Sequence, residues 1–336
     1  MSGRGRGGGG LWILLAALPF LALLAVSLGR YPQAGFVPVG NLADDVLLRT
    51  ILIEVRLPRV LLALLAGGVL AGAGFVFQMV FANPLVEPGF LGVSQGAALG
   101  AATVIVAYGW APVGVQVAAA GGAMLGLGAT CGLARRFRFG GWILRLVLAG
   151  MAVSAVAGAG LAFVKLVAEP TRDLQDITFW MMGGLWNASF PALASVAPAA
   201  LGSLAVLWAM RWRLNVLSLN DRTAHSVGLS PRRDKTVLLV AAAVGTASVV
   251  SVCGLVGWVG LLVPHLARAL YGADARRALP ASILLGAALV LVCDTVARTA
   301  LPGEIPLGLL TSLLGAVGFA VMVSRRPPLR GGGGDA

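Results

Sequence analysis

The chain is a succession of long apolar runs separated by short clusters of glycine, proline and charged residues. Leu11–Leu28 carries no charged side chain, and runs of similar length recur almost to the C-terminal end. About 20 apolar residues suffice to cross the hydrocarbon core of a bilayer as a helix. The pattern predicts about ten crossings, over residues 11–29, 58–81, 91–110, 113–134, 142–167, 190–210, 236–254, 256–271, 279–300 and 306–324. Two runs are short or broken by Gly and Pro, so nine or eleven crossings fit the same pattern. The fold class is therefore an all-α integral membrane protein. One transmembrane domain covers 11–325, between a flexible tail at 1–10 and a second tail at 326–336.

Composition supports this reading. Of 336 residues, 58% are hydrophobic and 11% charged, against about 25% charged in soluble domains. The first run is longer than a secretory signal core, and no small-residue cleavage site follows it, so it reads as a retained span. The net charge of +12 raises the question of nucleic acid. Its distribution answers it: with the N-terminus inside, 18 of the 25 Lys and Arg residues fall on the inner side and seven on the outer. Such asymmetry orients membrane proteins with the basic side in the cytoplasm, and it attracts anionic lipid. Both termini are thus expected in the cytoplasm, with lipid and not nucleic acid as the partner of this charge.

Several chemistries find no support. Cys131, Cys253 and Cys293 lie far apart in apolar runs and form no metal-binding spacing. His225 and His265 make no ligand pair, and no catalytic constellation is present, so no enzyme, metal or cofactor is expected. No P-loop occurs; Arg233-Asp234-Lys235-Thr236 lacks the glycine that precedes its lysine. Active transport would take its energy from a partner. No predicted crossing carries a charge at its middle; Lys165 and Asp294 fall near outer ends, and Asp294 is spaced to pair with Arg298 one turn on. An ion-coupled secondary transporter usually buries such groups at depth, which weighs against that alternative.

Three connecting segments stand out. Arg56-Leu57-Pro58-Arg59 places two positive charges at the outer mouth of the second span, to hold either headgroups or acidic side chains of an external protein. Asn83-Pro84 through Ser94 breaks the backbone twice with proline. The longest cytoplasmic segment, Arg211–Lys235, predicts a short helix capped by Asn220 or Asp221, running to Val227 and stopped by Gly228. A docking element and a plain basic connector both fit it.

With these segments in hand, the chain resembles the permeases of type II ABC importers, which take up iron–siderophores, haem and cobalamin. The resemblance rests on RLPR at 56–59, NPLVEPGFLGVSQGAA at 83–98, WMMGG at 180–184, residues 214–228, GLVGWVGLLVPHLAR at 254–268, DTVAR at 294–298 and EIPLGLLTSLL at 304–314. It implies a dimer of permeases, two cytoplasmic ATPases and an extracytoplasmic substrate-binding protein, in the bacterial cytoplasmic membrane. It implies related halves, which the sequence alone does not display. It also implies that Arg56, Arg59 and Arg298 contact glutamates of the binding protein. The coupling segment at about 214–235 would seat Asn220, Asp221, Ala224, His225, Ser226, Val227, Gly228 and Leu229 in a cleft of the ATPase. Here Asn220-Asp221-Arg222 departs from the family's commoner acidic start, and His225 stands where arginine is frequent. Iron–siderophore is the first expectation for substrate, with cobalamin, haem and molybdate-type oxyanions as alternatives; path residues are not identified.

Overall fold

The computed structural model describes residues 6–31, 35–37, 45–219 and 221–324. It contains thirteen helices among them: α1 Arg6–Ser27, α2 Val46–Val80, α3 Val93–Tyr108, α4 Pro112–Arg136, α5 Trp142–Val167, α6 Asp173–Met182, α7 Phe190–Ala209, α8 Arg211–Leu217, α9 Asp221–Ser226, α10 Pro231–Cys253, α11 Val259–Tyr271, α12 Ala275–Thr299 and α13 Leu307–Ser324. A two-residue antiparallel pairing, Leu28–Gly29 with Gly35–Phe36, follows α1. Seven helices are long and apolar enough to cross a membrane, and three more, α3, α11 and α13, are apolar but shorter. Every predicted crossing therefore has a helix. The whole 326–336 tail and half of the 1–10 tail lie outside the described residues, and α1 already begins at Arg6.

Two elements differ from expectation. The second crossing starts at Val46, not at 58, and runs 35 residues without interruption. Pro58 is a residue common in the first turn of a helix, yet the helix runs on through it. A π-helical turn, Ile51–Arg56, precedes it, with the Leu57 N–H donating to the Leu52 carbonyl. The wider turn lets the helix pass a residue that has no N–H to give. The second difference is α6, whose first turn holds Asp173 and Asp176, favourable beside the positive end of a helix.

Burial sorts the helices. Of the most apolar stretch of each, 83% is buried in α2 but 6% in α1, so α2 is the central post and α1 is peripheral. Helix α2 packs on α7, α10, α11 and α12, and α3 packs on α4 and α5. Small residues make these crossings tight. A Cβ on Gly67 would run into the Gly286 carbonyl, and one on Gly286 into the Gly67 carbonyl. The Ser282 hydroxyl adds a 3.1 Å bond to the Ala71 carbonyl at the same crossing. On the other side Gly96 and Gly122 meet likewise, as do Gly126 and Gly92. In lipid, where burial of apolar surface gives no drive, such close backbone approach holds helices together.

The chain order shows a repeat that the sequence does not. A long helix, a break, a short helix and two further apolar helices occur as α2 to α5 and again as α10 to α13. The breaks are residues 81–92 and 254–258. The first includes a 3-10 turn, Pro88–Leu91, ending at Gly92 with φ +80°. Pro88, Leu91 and Gly92 are buried: Thr130 donates to the Leu91 carbonyl at 2.9 Å, and the Phe90 carbonyl lies against Gly150. The 3-10 turn thus meets, at Pro88 and Leu91–Gly92, the demand that irregular backbone at membrane depth be enclosed by protein. The breaks approach each other, with the Glu87 carboxylate near the Trp258 backbone N–H. Trp258 adopts φ +69°, unusual for a bulky residue.

Candidate functional site

The residues singled out by sequence gather at two ends of the bundle. At one end are Arg56, Arg59 and Arg298, brought together by the start of α2 and the end of α12. Arg59 is the centre. Its Nε and Nη2 donate to the Asp294 carboxylate at 2.9–3.1 Å, and its Nη1 and Nη2 donate to Glu304 at 2.8 and 2.9 Å. Two edges of one planar guanidinium thus hold two carboxylates, the fork geometry that arginine provides and lysine does not.

Arg56 and Arg298 do something different. Arg56 donates to the Val26 carbonyl at 3.0 Å and to the Tyr31 carbonyl at 3.2 Å. Arg298 donates to the Leu28 carbonyl at 2.7 Å and also to the Ala25 carbonyl. Ala25 and Val26 belong to the last turn of α1, whose carbonyls lack intrahelical partners, Leu28 and Tyr31 lie just beyond it, and a positive charge suits that end of a helix. The two arginines therefore fasten the peripheral α1 to the central bundle. Gly29 has no side chain because the Arg56 guanidinium lies where its Cβ would be.

Sequence pattern suggested charges presented at an outer mouth. The structure has Arg56 and Arg59 5% and 7% exposed, and the Arg298 side chain is as enclosed as that of Arg59. Asp294 pairs with Arg298 at only 3.7 Å, and its strong partner is Arg59, 235 residues away in sequence. Glu304, with no role assigned from sequence, is the half-exposed member of the set. No local signal marks it, since its partner lies 245 residues upstream.

The other end holds α8 and α9. Leu214, Leu217 and Ala224 are buried and seat the segment on the bundle. Two polar ties fix α8. Arg213 pairs with Asp234 of α10 at 2.8 Å. The Asn215 amide donates to Asp274 at 2.7 Å while its oxygen accepts from the Ala275 N–H at 2.8 Å. Partial desolvation pushes the Asp274 carboxyl up. The bonds from Asn215 and the Arg276 N–H, and the charges of Arg276 and Arg277, outweigh it and hold the group below its usual range.

Helix α9 ends as the sequence predicts. The Leu229 N–H returns to the Ala224 carbonyl at 3.1 Å and the Gly228 N–H to the His225 carbonyl at 3.0 Å. This is the paired Schellman closure, with Gly228 at φ +81°. His225, Ser226, Val227 and Gly228 are exposed, and Leu229 is half-buried. Asn220 and the side chain of Asp221 lie outside the described residues, and with them the predicted cap. A cavity of about 380 Å³ sits beside this closure, lined by Met210, Arg213, Leu229, Ser230, Arg233 and Asp234.

Between the ends, sequence reading overlooked Gln78. Its buried amide donates to the Gly260 and Leu261 carbonyls at 3.2 and 3.0 Å, and its oxygen accepts from Arg268, which also lies over the Phe75 ring. A second cavity, of about 390 Å³, is lined by Glu87, Gly89, Phe90, Ser94, Gln95, Met151 and Ser154. The interior is thus less uniformly apolar than the sequence suggested.

Known proteins share this architecture. The chain is 39% identical over 279 residues, 83% of each chain, to a probable iron chelatin transport system permease of Helicobacter pylori. It is 37% identical over 327 residues to a hemin transport system permease of Yersinia pestis, covering 96% of this chain and 97% of that one. Cobalamin and molybdate import permeases are among its other relatives. A solved inward-facing structure of a putative metal-chelate type ABC transporter superposes with a TM-score of 0.86 at 32% identity, covering 94% of this chain and 99% of that one. The pattern of the FecCD transport family runs through residues 14–325, which takes in both ends of the bundle and all ten apolar helices, and the chain belongs to that family.

Proposed function

We propose that this chain forms the membrane path of a binding-protein-dependent importer for ferric siderophores. As a FecCD member it is a multi-pass membrane permease of the type II ABC importer class, not an enzyme, and ATP hydrolysis resides in a separate subunit. The observation that carries the substrate reading is the similarity to an iron chelatin permease. Haem is the second reading, favoured by the longer match to the hemin permease.

In this reading all ten apolar helices cross the bilayer, both termini are cytoplasmic, and two copies or two sister permeases enclose the path. A loaded binding protein docks at the outer end around Arg56, Arg59 and Arg298. ATP-driven closure of two ATPases moves the segment from Asn220 to Leu229, and the ties through Arg213 and Asn215 pass that motion to α10 and α12. The test is ATP-dependent uptake into proteoliposomes that contain the permease with its ATPase and binding protein, offered ferric siderophore, haem, cobalamin and molybdate in parallel. Uptake of ferric siderophore alone is expected. Uptake of another of the four replaces the substrate, and a complex that hydrolyses ATP yet imports none of them overturns the substrate class.

A further inference from the structure

We propose that Glu304 is a built-in stand-in for a carboxylate of the external binding protein. It occupies the outer edge of the Arg59 guanidinium until docking displaces it. The inference rests on the docking reading above and adds the competitor that docking must overcome.

The two carboxylates on Arg59 are not equivalent. The Asp294 side chain is 1% exposed, and that of Glu304 is 38% exposed. Asp294 belongs to α12 and is enclosed at the crossing. Glu304 belongs to the stretch 301–304, which is exposed throughout. The backbone is tied on either side of it, by the Ala300 N–H to the Val296 carbonyl before, and by the Ile305 N–H to the Ala297 carbonyl and the Leu307 N–H to the Gly183 carbonyl after, at 2.9, 3.0 and 2.8 Å. The Glu304 carboxylate can swing into water with those anchors intact. Solvent-exposed ion pairs contribute little and exchange readily, whereas a buried partner cannot leave without orphaning a charge.

Charge and shape fix what replaces it. Among Arg56, Arg59, Arg298, Asp294 and Glu304 there are three positive and two negative groups, so departure of Glu304 raises an existing positive excess. The vacated edge offers two parallel N–H groups, one on Nη1 and one on Nη2, spaced for a planar carboxylate. A glutamate or aspartate of the partner satisfies both demands. Competition from Glu304 makes docking weaker and release faster than the arginine alone would give, which suits a carrier that must leave once unloaded.

The test is a titration of the substrate-binding protein against the full permease, assembled with its ATPase in phosphatidylcholine nanodiscs, which offer no anionic headgroups. Glu304→Gln is expected to lower the Kd about fivefold, mainly through slower dissociation. Arg59→Lys keeps a charge for Asp294 but loses the fork, and it raises the Kd about tenfold. If Glu304→Gln leaves binding unchanged or weakens it while Arg59→Lys weakens it, Glu304 is part of the scaffold and the inference fails with the docking reading intact. If Arg56→Gln, Arg59→Gln and Arg298→Gln each change nothing, the docking reading fails and the inference with it. Should Glu304→Gln not assemble, Glu304→Asp serves, since the shorter side chain draws its carboxylate off the guanidinium and also tightens binding.

Discussion

The two ends of the molecule solve opposite problems. At the Arg59 end, charge is concentrated and hidden. Five ionised side chains are spent on one another and on the carbonyls of α1, leaving one half-exposed carboxylate at the rim. At the α9 end the backbone is closed on itself by the Gly228 turn, and the side chains are left facing water. The first end is stabilised by ion pairs and is costly to alter; the second is a small rigid shape, held by a few ties, whose surface can change at little cost to the fold. Each end is thus held together by different chemistry.

That contrast can be broken most sharply at Arg59. Arg59→Ala leaves Asp294 buried without its main partner, a loss of about 3–5 kcal/mol. Thermal unfolding of the purified permease should show it, and Asp294→Asn in the same chain should restore much of the loss. An unchanged melting temperature for the single variant would mean that Asp294 is hydrated, and the end is not the closed set described.

A smaller effect is expected from Gly228→Val. A β-branched residue in the left-handed region costs about 1–2 kcal/mol, and the strain is confined to the α9 closure. Stimulation of the partner ATPase by loaded binding protein should fall severalfold while the global melt barely shifts. A large drop in melting temperature would show that α9 is integral to the fold.

The smallest effect is on acidity. The Asp274 carboxyl is held low in the folded chain. Its contribution is therefore present above the ordinary aspartate pKa and is lost as pH falls through the lowered folded value. Hydrogen exchange at the Ala275 amide, followed from about pH 6 to about pH 3 and corrected for intrinsic rate, should lose protection towards the acid end. Protection that stays constant would mean that Asn215 alone holds the joint.

What sequence could foretell divides along the same line. Crossings were legible because apolar length in a bilayer is a local property, and the α9 stop was legible because Gly228 announces its own geometry. The Arg59 end was only half legible. Asp294 and Arg298 share a helix face, and spacing shows that, but the stronger partner of Asp294 arrives from α2 by tertiary folding. Glu304 and Gln78 gain their roles only through residues 245 and 182 positions distant. The early start of α2 is not legible because charged Arg49, Glu54 and Arg56 interrupt the apolar run before 58, and the π turn that carries the helix past Pro58 leaves no sequence signal. The repeat was hidden because it lies in the order of helix lengths and breaks, not in a sequence period visible by eye.

The approach of Glu87 to the Trp258 backbone N–H bears on how such a chain can be recombined. It joins one half to the other at the point where each backbone is irregular. A chimaera spliced between α5 and α10, taking its halves from two relatives, therefore inherits a mating surface as well as two sets of helices. Positions 87 and 258, with Gln78 and its two carbonyl partners, have to travel as one set. The useful boundary for exchange is a matched pair of breaks, and a splice that respects only the order of the helices divides it.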